Sequence, residues 1–579
     1  MSVSGGELLV ELLKNCGIEY VFCSPGTEWT PVWEALLKCR EDDDASLKYI
    51  NCRDETLAVS MAMGYAEATG RLPAVLLHAS VGALHGAVAI RNAFVARVPM
   101  IILSGESYEH RGDGEVRAQG WHWLGLLSDI GGPSALFRGY IKWGNAVKSR
   151  DSLADSVFRG CRIALAAPQG PVYLSVPAEI LMKSGEEIPA TRPSRLLNLT
   201  GPDTGELREV ARELIRSRYP VIIAEHAGKR PGVVTKLTEL AELLSIPVFE
   251  ASLPYASNFP KDNPLYMGYD TYEALKKADT VLVVGGLTPW YPPSAGPGTD
   301  ARIIMIDEAP FHERLPYWGY RADLTISADI GRTLEALADI VRSETAGQKQ
   351  TVRLNLQRRG ALKEKHDAML AGWEEEALDG QGHQPINPKW FLYVAGKTLP
   401  DNAIILDETL SHTRSVHQYL ARPGCYVKPA YGGLGVGMGE AAGVKLACPD
   451  RSVVLLVGDG SFNYNPVLAA LGVYQEYRLP VFIIVMNNSG YMVMKFAHRI
   501  NFPRGTAVSH DCFLGVDITP APDYVKVAEA FGARGEKLED PGDIEPALKR
   551  GLKQIAGGKT ALLDVILEDM APVSPPIGR

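Results

Sequence analysis

The most informative spacing in this chain is Gly458-Asp459-Gly460 followed, 26 residues later, by Asn487-Asn488. A carboxylate and an amide oxygen are hard ligands, suited to a divalent cation such as Mg2+ that completes its octahedron with water and phosphate oxygens. The flanking glycines let a backbone come close to a phosphate. Gly-Asp-Gly alone is also a common tight turn; the double Asn at this distance argues for the ligand reading. Each motif ends an apolar run, Val453 to Val457 and Val481 to Met486, of the kind that forms buried parallel strands. The stretch Asn465 to Leu479 between them reads as a helix. Strand, acidic turn, helix, strand and amide turn set the two side chains beside each other at the carboxyl edge of one sheet, where open α/β sheets bind ligands.

Two further segments carry candidate groups. Glu55 stands at the head of Thr56 to Ala66, a helical run too apolar for a surface. The helix dipole favours an acid there, so Glu55 is either a capping carboxylate beside Asp54 or a positioned proton-transfer group. The glycine-rich run Tyr431 to Gly443 is either a helix start packed on a sheet or a cradle for a bound group.

These groups need a scaffold, and the chain offers three α/β blocks. The first, 1–185, has strands at Tyr20 to Phe22, Ala74 to Leu77, Met100 to Leu103 and Val172 to Val176. The second, 206–340, has them at Pro220 to Ala224, Pro247 to Phe249, Thr280 to Val284 and Ile303 to Ile306. The third, 389–579, adds Ile404 to Leu406 and Leu562 to Ile566 to the two runs above. Strands alternating with helices predict three doubly wound parallel-sheet domains. Blocks one and three have similar layouts. Glu186 to Gly205 and Ser343 to Pro388 read as linkers, the second partly helical over Leu354 to Trp373. The Pro-rich tail Ala571 to Arg579 reads as mobile or as a lid.

The net charge of −9 argues against nucleic acid as a partner. Eight scattered cysteines show no CxxC or zinc spacing, and free thiols in a reducing cytosol are expected. Met1 to Gly17 reads as an amphipathic helix with acidic residues, unlike a secretory signal. No apolar stretch of 18 residues points to a membrane span, and a cytoplasmic location is expected.

Together the motifs resemble thiamine diphosphate (ThDP) enzymes, in the branch of 2-oxo acid decarboxylases and acetolactate synthases. Three further segments carry the resemblance: Phe22-Cys23-Ser24-Pro25-Gly26, Ala167 to Pro177, and Ile306-Asp307-Glu308-Ala309-Pro310. The resemblance implies pyrimidine-binding, central and diphosphate-binding domains in that order. It implies ThDP and Mg2+ as cofactors, with Asp459, Asn488 and Gly490 on the metal and Gly458, Gly460, Ser461 and Ser411 on the diphosphate. Gly432 would contact the aminopyrimidine and Leu434 would support the thiazolium in a bent cofactor, a proximity effect. Glu55 would hydrogen-bond the pyrimidine N1′ and start the proton relay to the thiazolium. Active sites would lie at the subunit interface of a homodimer or homotetramer.

Substrate choice would fall to Thr27, Glu28, His78, Gln119, Tyr491, Val493 and Met494. His78 matches an active-site histidine of the benzoylformate decarboxylase group, and its other reading is a histidine satisfied by backbone. Gln119 matches a glutamine of acetolactate synthases. Lys495 stands where those carry an arginine, or is a solvated helix lysine; His412 is a site residue or a surface histidine. Tyr108 to Trp123 lacks the paired histidines of pyruvate decarboxylases, and Met494 replaces their protonating glutamate. A small-molecule 2-oxo acid, decarboxylated and then protonated or ligated to a second carbonyl compound, is the expected substrate. The alternatives are a lyase for 1,2-diketones or acyloins and a non-catalytic regulatory subunit. In the central block, Glu225 and His226 replace a glycine-rich turn and Gly286 to Trp290 lacks an arginine, which disfavours FAD.

Overall fold

The computed structural model describes residues 3–41, 46–106, 132–186, 201–230, 232–251, 255–316 and 318–569. Three parallel sheets with helical crossovers follow one another along the chain. The first runs, in spatial order, Lys48–Asn51, Tyr20–Cys23, Ala74–Leu77, Met100–Glu106, Pro171–Pro177, Trp143–Ala146. The third runs Tyr426–Val427, Ile404–Glu408, Val453–Gly458, Phe482–Asn487, Ala561–Ile566, Arg534–Leu538. In both, the second and fifth strands in chain order form the edges, and the order reverses between the first and third. The similar layout read from sequence is therefore one topology used twice. The central sheet runs Val248–Glu250, Pro220–Ala224, Thr280–Val284, Arg302–Asp307, Leu324–Ser327.

Three local readings change. The helix expected over Asn465 to Leu479 spans Val467–Glu476, and a separate helix, Asp459–Tyr464, precedes it. Pro466 offers no N–H to a continuous helix. The amino terminus adds a short strand, Val3–Ser4, paired with Ser184–Gly185, before the helix Gly5–Asn15. The supposed second linker holds a 30-residue helix, Lys349–Leu378, that acts as a strut. Its Asn355 and Arg358 donate to the carbonyls of Leu243 and Leu244 in the central domain. Its Trp373 carbonyl accepts from the Tyr419 hydroxyl of the third.

The first and third domains meet through two helices, Glu55–Thr69 and Gly437–Ala447, both buried over most of their length. Small residues let the backbones touch. A Cβ added to Gly443 would lie 2.0 Å from the Met61 carbonyl oxygen, and one on Gly64 would lie 2.1 Å from that of Glu440. Neither neighbour is a flexible side chain, so the helices would have to separate. Gly443→Ala is expected to cost at least about 1–3 kcal/mol, read as a lower denaturant midpoint. Gly360→Ala, on the exposed strut with open space around it, is expected to stabilise by about 0.5–1 kcal/mol.

Candidate active site

In the third sheet the strands Val453–Gly458 and Phe482–Asn487 are neighbours with Gly458 opposite Met486, so their turns lie side by side. Asp459 is buried and accepts from the N–H of Gly460 at 2.8 Å and of Gly490 at 3.0 Å. Burial nevertheless pushes its carboxyl up to about 6. The double Asn divides its work. Asn487 is structural: its amide donates to Asp564 at 2.9 Å and its oxygen accepts from Ser489 N–H. Ser489 takes a left-handed backbone (φ 57°), which turns the Gly490 N–H toward Asp459. The Asn488 side-chain oxygen is buried and has no hydrogen-bond partner. A buried carboxylate and an amide oxygen without a hydrogen-bond partner are hard donors that could hold a cation. Gly460 is needed because the Tyr491 ring packs on it; a Cβ there would lie 2.6 Å from that ring.

The glycine-rich loop Tyr431 to Gly437 is braced from below. One Glu408 oxygen accepts from the N–H groups of Gly435 and Val436, and the other from Asn465. The Asn465 oxygen in turn accepts from Met438 N–H. Gly432 and Gly435 have φ of 85° and 93°, which favours glycine at both. The half-buried Leu434 stands between them. From the first domain, Asn92 donates to the Gly433 carbonyl and Arg91 to that of Tyr431. Glu408, Asn465 and Asn92 escaped the sequence reading. Position at the end of a strand was the one available signal, and it applied to Glu408 alone.

The first sheet carries the acid–base groups at its own reversal point. Asp54 caps the helix Glu55–Thr69, accepting from Leu57 N–H at 2.9 Å. Glu55 is thereby free of the capping duty, and its carboxylate accepts from His85 Nδ1 at 2.7 Å. Glu28 follows the first strand, its carboxylate fully buried, and holds His78 Nδ1 at 2.9 Å and Ala79 N–H at 2.9 Å. The Glu28 carboxylate raises the His78 pKa above its ordinary 6.5, against the opposing effect of burial. Glycines make room for this dyad: a Cβ on Gly26 would lie 2.5 Å from both Glu28 Oε2 and His78 Nδ1. Gly82 sits between the groups, where a Cβ would lie 2.9 Å from Glu55 Oε1 and 3.2 Å from His78 Cβ. Glu55 and the His78–Glu28 dyad thus face one another across a single glycine.

Three family models match in chain order. They are the N-terminal TPP binding domain of thiamine pyrophosphate enzymes over residues 3–121, the central domain over 207–337, and the C-terminal TPP binding domain over 410–565. This chain belongs to the thiamine pyrophosphate enzyme family. Benzoylformate decarboxylase of Pseudomonas aeruginosa is 27% identical, over 97% of this chain and 98% of its own. Acetolactate synthase isozyme 3 large subunit of Escherichia coli K12 is 24% identical, over 99% and 96%. In fold, the chain matches the solved structure of Rhodococcus jostii RHA1 thiamine diphosphate-dependent 4-hydroxybenzoylformate decarboxylase, with a TM-score of 0.78 at 24% identity, covering 99% of this chain and 100% of that one. The chain is accordingly an enzyme that binds thiamine diphosphate and is related to decarboxylases and acetolactate synthases.

The remaining expected residues of this thiamine pyrophosphate enzyme are unevenly placed. Thr27 is exposed at the same turn as Glu28, and Val493 and Met494 are 45% and 52% exposed beside Tyr491. Ser461 is buried in the first turn of the helix that Asp459 begins, and Ser411 is half-buried, its hydroxyl 3.4 Å from the Thr409 carbonyl. Gln119 and the tail Ala571 to Arg579 lie outside the described residues. His412 is fully buried with neither ring nitrogen partnered, and burial holds its pKa down to about 4; it is neither on the surface nor a cation. Lys495 is paired with Asp569 at 2.5 Å and is not a freely solvated lysine. A cavity of about 1370 Å³ between the three domains is lined by none of the site groups. Its Lys229 and Arg230 are already engaged, by the Ala96 carbonyl and by Asp329.

In the central domain, some backbone groups at the carboxyl edge of the sheet are taken up by its own side chains. Glu225 accepts from the N–H groups of Leu287 and Thr288, and His226 Nδ1 bonds the Gly285 carbonyl. Those N–H groups are therefore not available to a phosphate. Among the described residues no helix is long and apolar enough to cross a membrane.

Proposed function

We propose that this enzyme uses ThDP and Mg2+ to cleave the carbon–carbon bond next to a carbonyl, decarboxylating a 2-oxo acid and then protonating the remaining fragment or joining it to a second carbonyl compound. The observation that carries the reading is the His78–Glu28 dyad facing Glu55 across Gly82. It puts a cation-forming imidazole, suited to a substrate carboxylate, beside the acid expected to activate the cofactor. The residues fit both cofactors: Asp459, the orphaned Asn488 oxygen and the Gly490 backbone would hold Mg2+, and the braced loop Tyr431 to Gly437 would receive the organic cofactor. When bound, ThDP supplies the electron sink for carbon–carbon cleavage.

The protein's own work is then positional. Glu55 holds a proton at its carboxylate, His78 holds the substrate carboxylate, and Leu434 supplies an apolar support. The exposed apolar Val493 and Met494 leave room at the rim for a second carbonyl compound and offer no acid to end the reaction early. FAD forms no part of the proposal, since Glu225 and His226 take up backbone groups at the carboxyl edge of the central sheet. Sites shared between two subunits of a homodimer or homotetramer are supported by the exposed Val81, Leu84 and Val88 near Glu55 and by Tyr464 and Leu468 near Asp459.

The test is single-turnover CO2 release from pyruvate, benzoylformate and branched 2-oxo acids with ThDP and Mg2+, products being identified. Rapid CO2 with an aldehyde or acyloin is the expected result and names the donor. No CO2 from any acid, with a 1,2-diketone or acyloin cleaved instead, overturns the decarboxylase reading in favour of a lyase.

A further inference from the structure

One seven-residue helix, Ala79–His85, carries a histidine–glutamate pair at each end. His78 precedes it and pairs with Glu28; His85 ends it and pairs with Glu55. Glu55 is expected to share a proton with the cofactor's pyrimidine ring, and a carboxylate in that role needs a proton source. Asp54 caps the helix through Oδ1, whereas His85 Nδ1 is in hydrogen-bond contact with the Glu55 carboxylate itself. Resting on the reading of Glu55 as the cofactor-activating acid, we propose that His85 is a positioning residue that stores at Nδ1 the proton Glu55 presents to the cofactor.

The transfer is local and balanced. The Nδ1–H bond breaks, an O–H bond forms at Glu55 Oε2, the imidazolium becomes neutral imidazole and the carboxylate becomes a carboxylic acid. The titratable groups facing His85 are the Glu55 carboxylate at 2.7 Å and the Asp54 carboxylate at 3.7 Å. The Glu55 hydrogen bond leads in holding His85 above its ordinary 6.5, with Asp54 adding to it and burial opposing. Beyond Gly82, His78 with Glu28 forms a pair that is neutral overall when His78 is protonated. Once Glu55 accepts the proton, His85 loses the leading influence that raised its pKa, which falls back toward its ordinary value. The fold does not depend on this side chain, which is largely exposed. It is the His85 backbone carbonyl that accepts from Thr56 Oγ1 at 2.9 Å.

The experiment is calorimetric titration of ThDP into the full chain at saturating Mg2+, in buffers of different ionisation enthalpy over roughly pH 6 to 9, which counts the protons taken up on binding. In the wild type, uptake is expected to be close to zero from about pH 6.5 to the raised His85 value, because the proton is already stored, and to rise to about one above it. His85→Asn keeps a donor for Glu55 but stores no proton, so its uptake should be about one across that window. The comparison cancels the cofactor's own ionisations. Identical uptake profiles in the two proteins overturn the proposal, whatever the activities. Glu55→Gln separates the two readings. If it abolishes uptake while His85→Asn matches the wild type, only the role of His85 falls; if, above the raised His85 value, it still takes up about one proton like the wild type, both fall.

Discussion

Glu55→Gln is expected to lower turnover by about 10²–10⁴-fold, the range associated with a positioned proton-transfer group, with less than about a tenfold change in ThDP affinity. The argument is one of isosterism. Gln fills the same space beside Gly82 and still accepts from His85 Nδ1 through its amide oxygen, so the local packing survives. What it lacks is an oxygen able to hold a proton. No neighbour takes over: Asp54 is bound to Leu57 N–H, and Glu28 is buried behind His78. The measurement is steady-state rate at saturating ThDP and Mg2+, together with exchange of the cofactor's C2 proton by quenched-flow NMR. A fall in exchange that matches the fall in turnover places Glu55 at activation. Full activity in the variant would remove Glu55 from the mechanism.

What the sequence disclosed about this scaffold depended on burial. Strands such as Val453–Gly458 and Thr280–Val284 lie inside their sheets, covered on both faces, and write continuous apolar runs. Within the three parallel sheets, the five strands missed were Lys48–Asn51, Trp143–Ala146, Leu324–Ser327, Tyr426–Val427 and Arg534–Leu538. Each stands at a sheet edge, and most carry exposed or half-exposed residues. Half-solvated edges have no such run, so periodicity does not reveal them. The strut Lys349–Leu378 was hidden for a related reason: only Leu362, His366 and Ala377 are buried along its 30 residues.

The candidate site divides in the same way. Asp459, Asn488 and Glu55 were legible because each ends or begins an element that the apolar pattern marks. The sequence left Glu55 between capping and catalysis, and the bond from Asp54 to Leu57 decides the capping question. The resemblance put Asn488 alone on the metal and gave Asn487 no role; the contact of Asn487 with Asp564, 77 residues away, supplies a structural one. His85 and Glu408 were invisible as partners, because their meaning lies in contacts between distant segments that no local spacing encodes. The same holds for Asn92, whose reach to Gly433 crosses from the first domain to the third.

Asn488→Ala is the substitution that isolates the metal from the fold. In the free protein the Asn488 oxygen is buried and unpartnered, so removing it breaks no hydrogen bond made by that atom. It also deletes a desolvated polar atom, a cost of about 1–3 kcal/mol when left unsatisfied. Stability without cofactor is therefore expected to be unchanged or slightly raised. The cation, by contrast, loses one of the few protein ligands available to it, while Asp459 remains buried and its carboxyl stays high. Mg2+-dependent ThDP affinity is expected to fall at least about 100-fold, which corresponds to about 2.7 kcal/mol. Thermal unfolding with and without ThDP and Mg2+ reads both effects at once. The expected pattern is an unchanged midpoint for the free variant and loss of most of the cofactor-induced rise. A variant whose free form unfolds early would mean that the Asn488 oxygen has a structural partner after all. A variant that keeps the full cofactor-induced rise would mean that the cation is held without it.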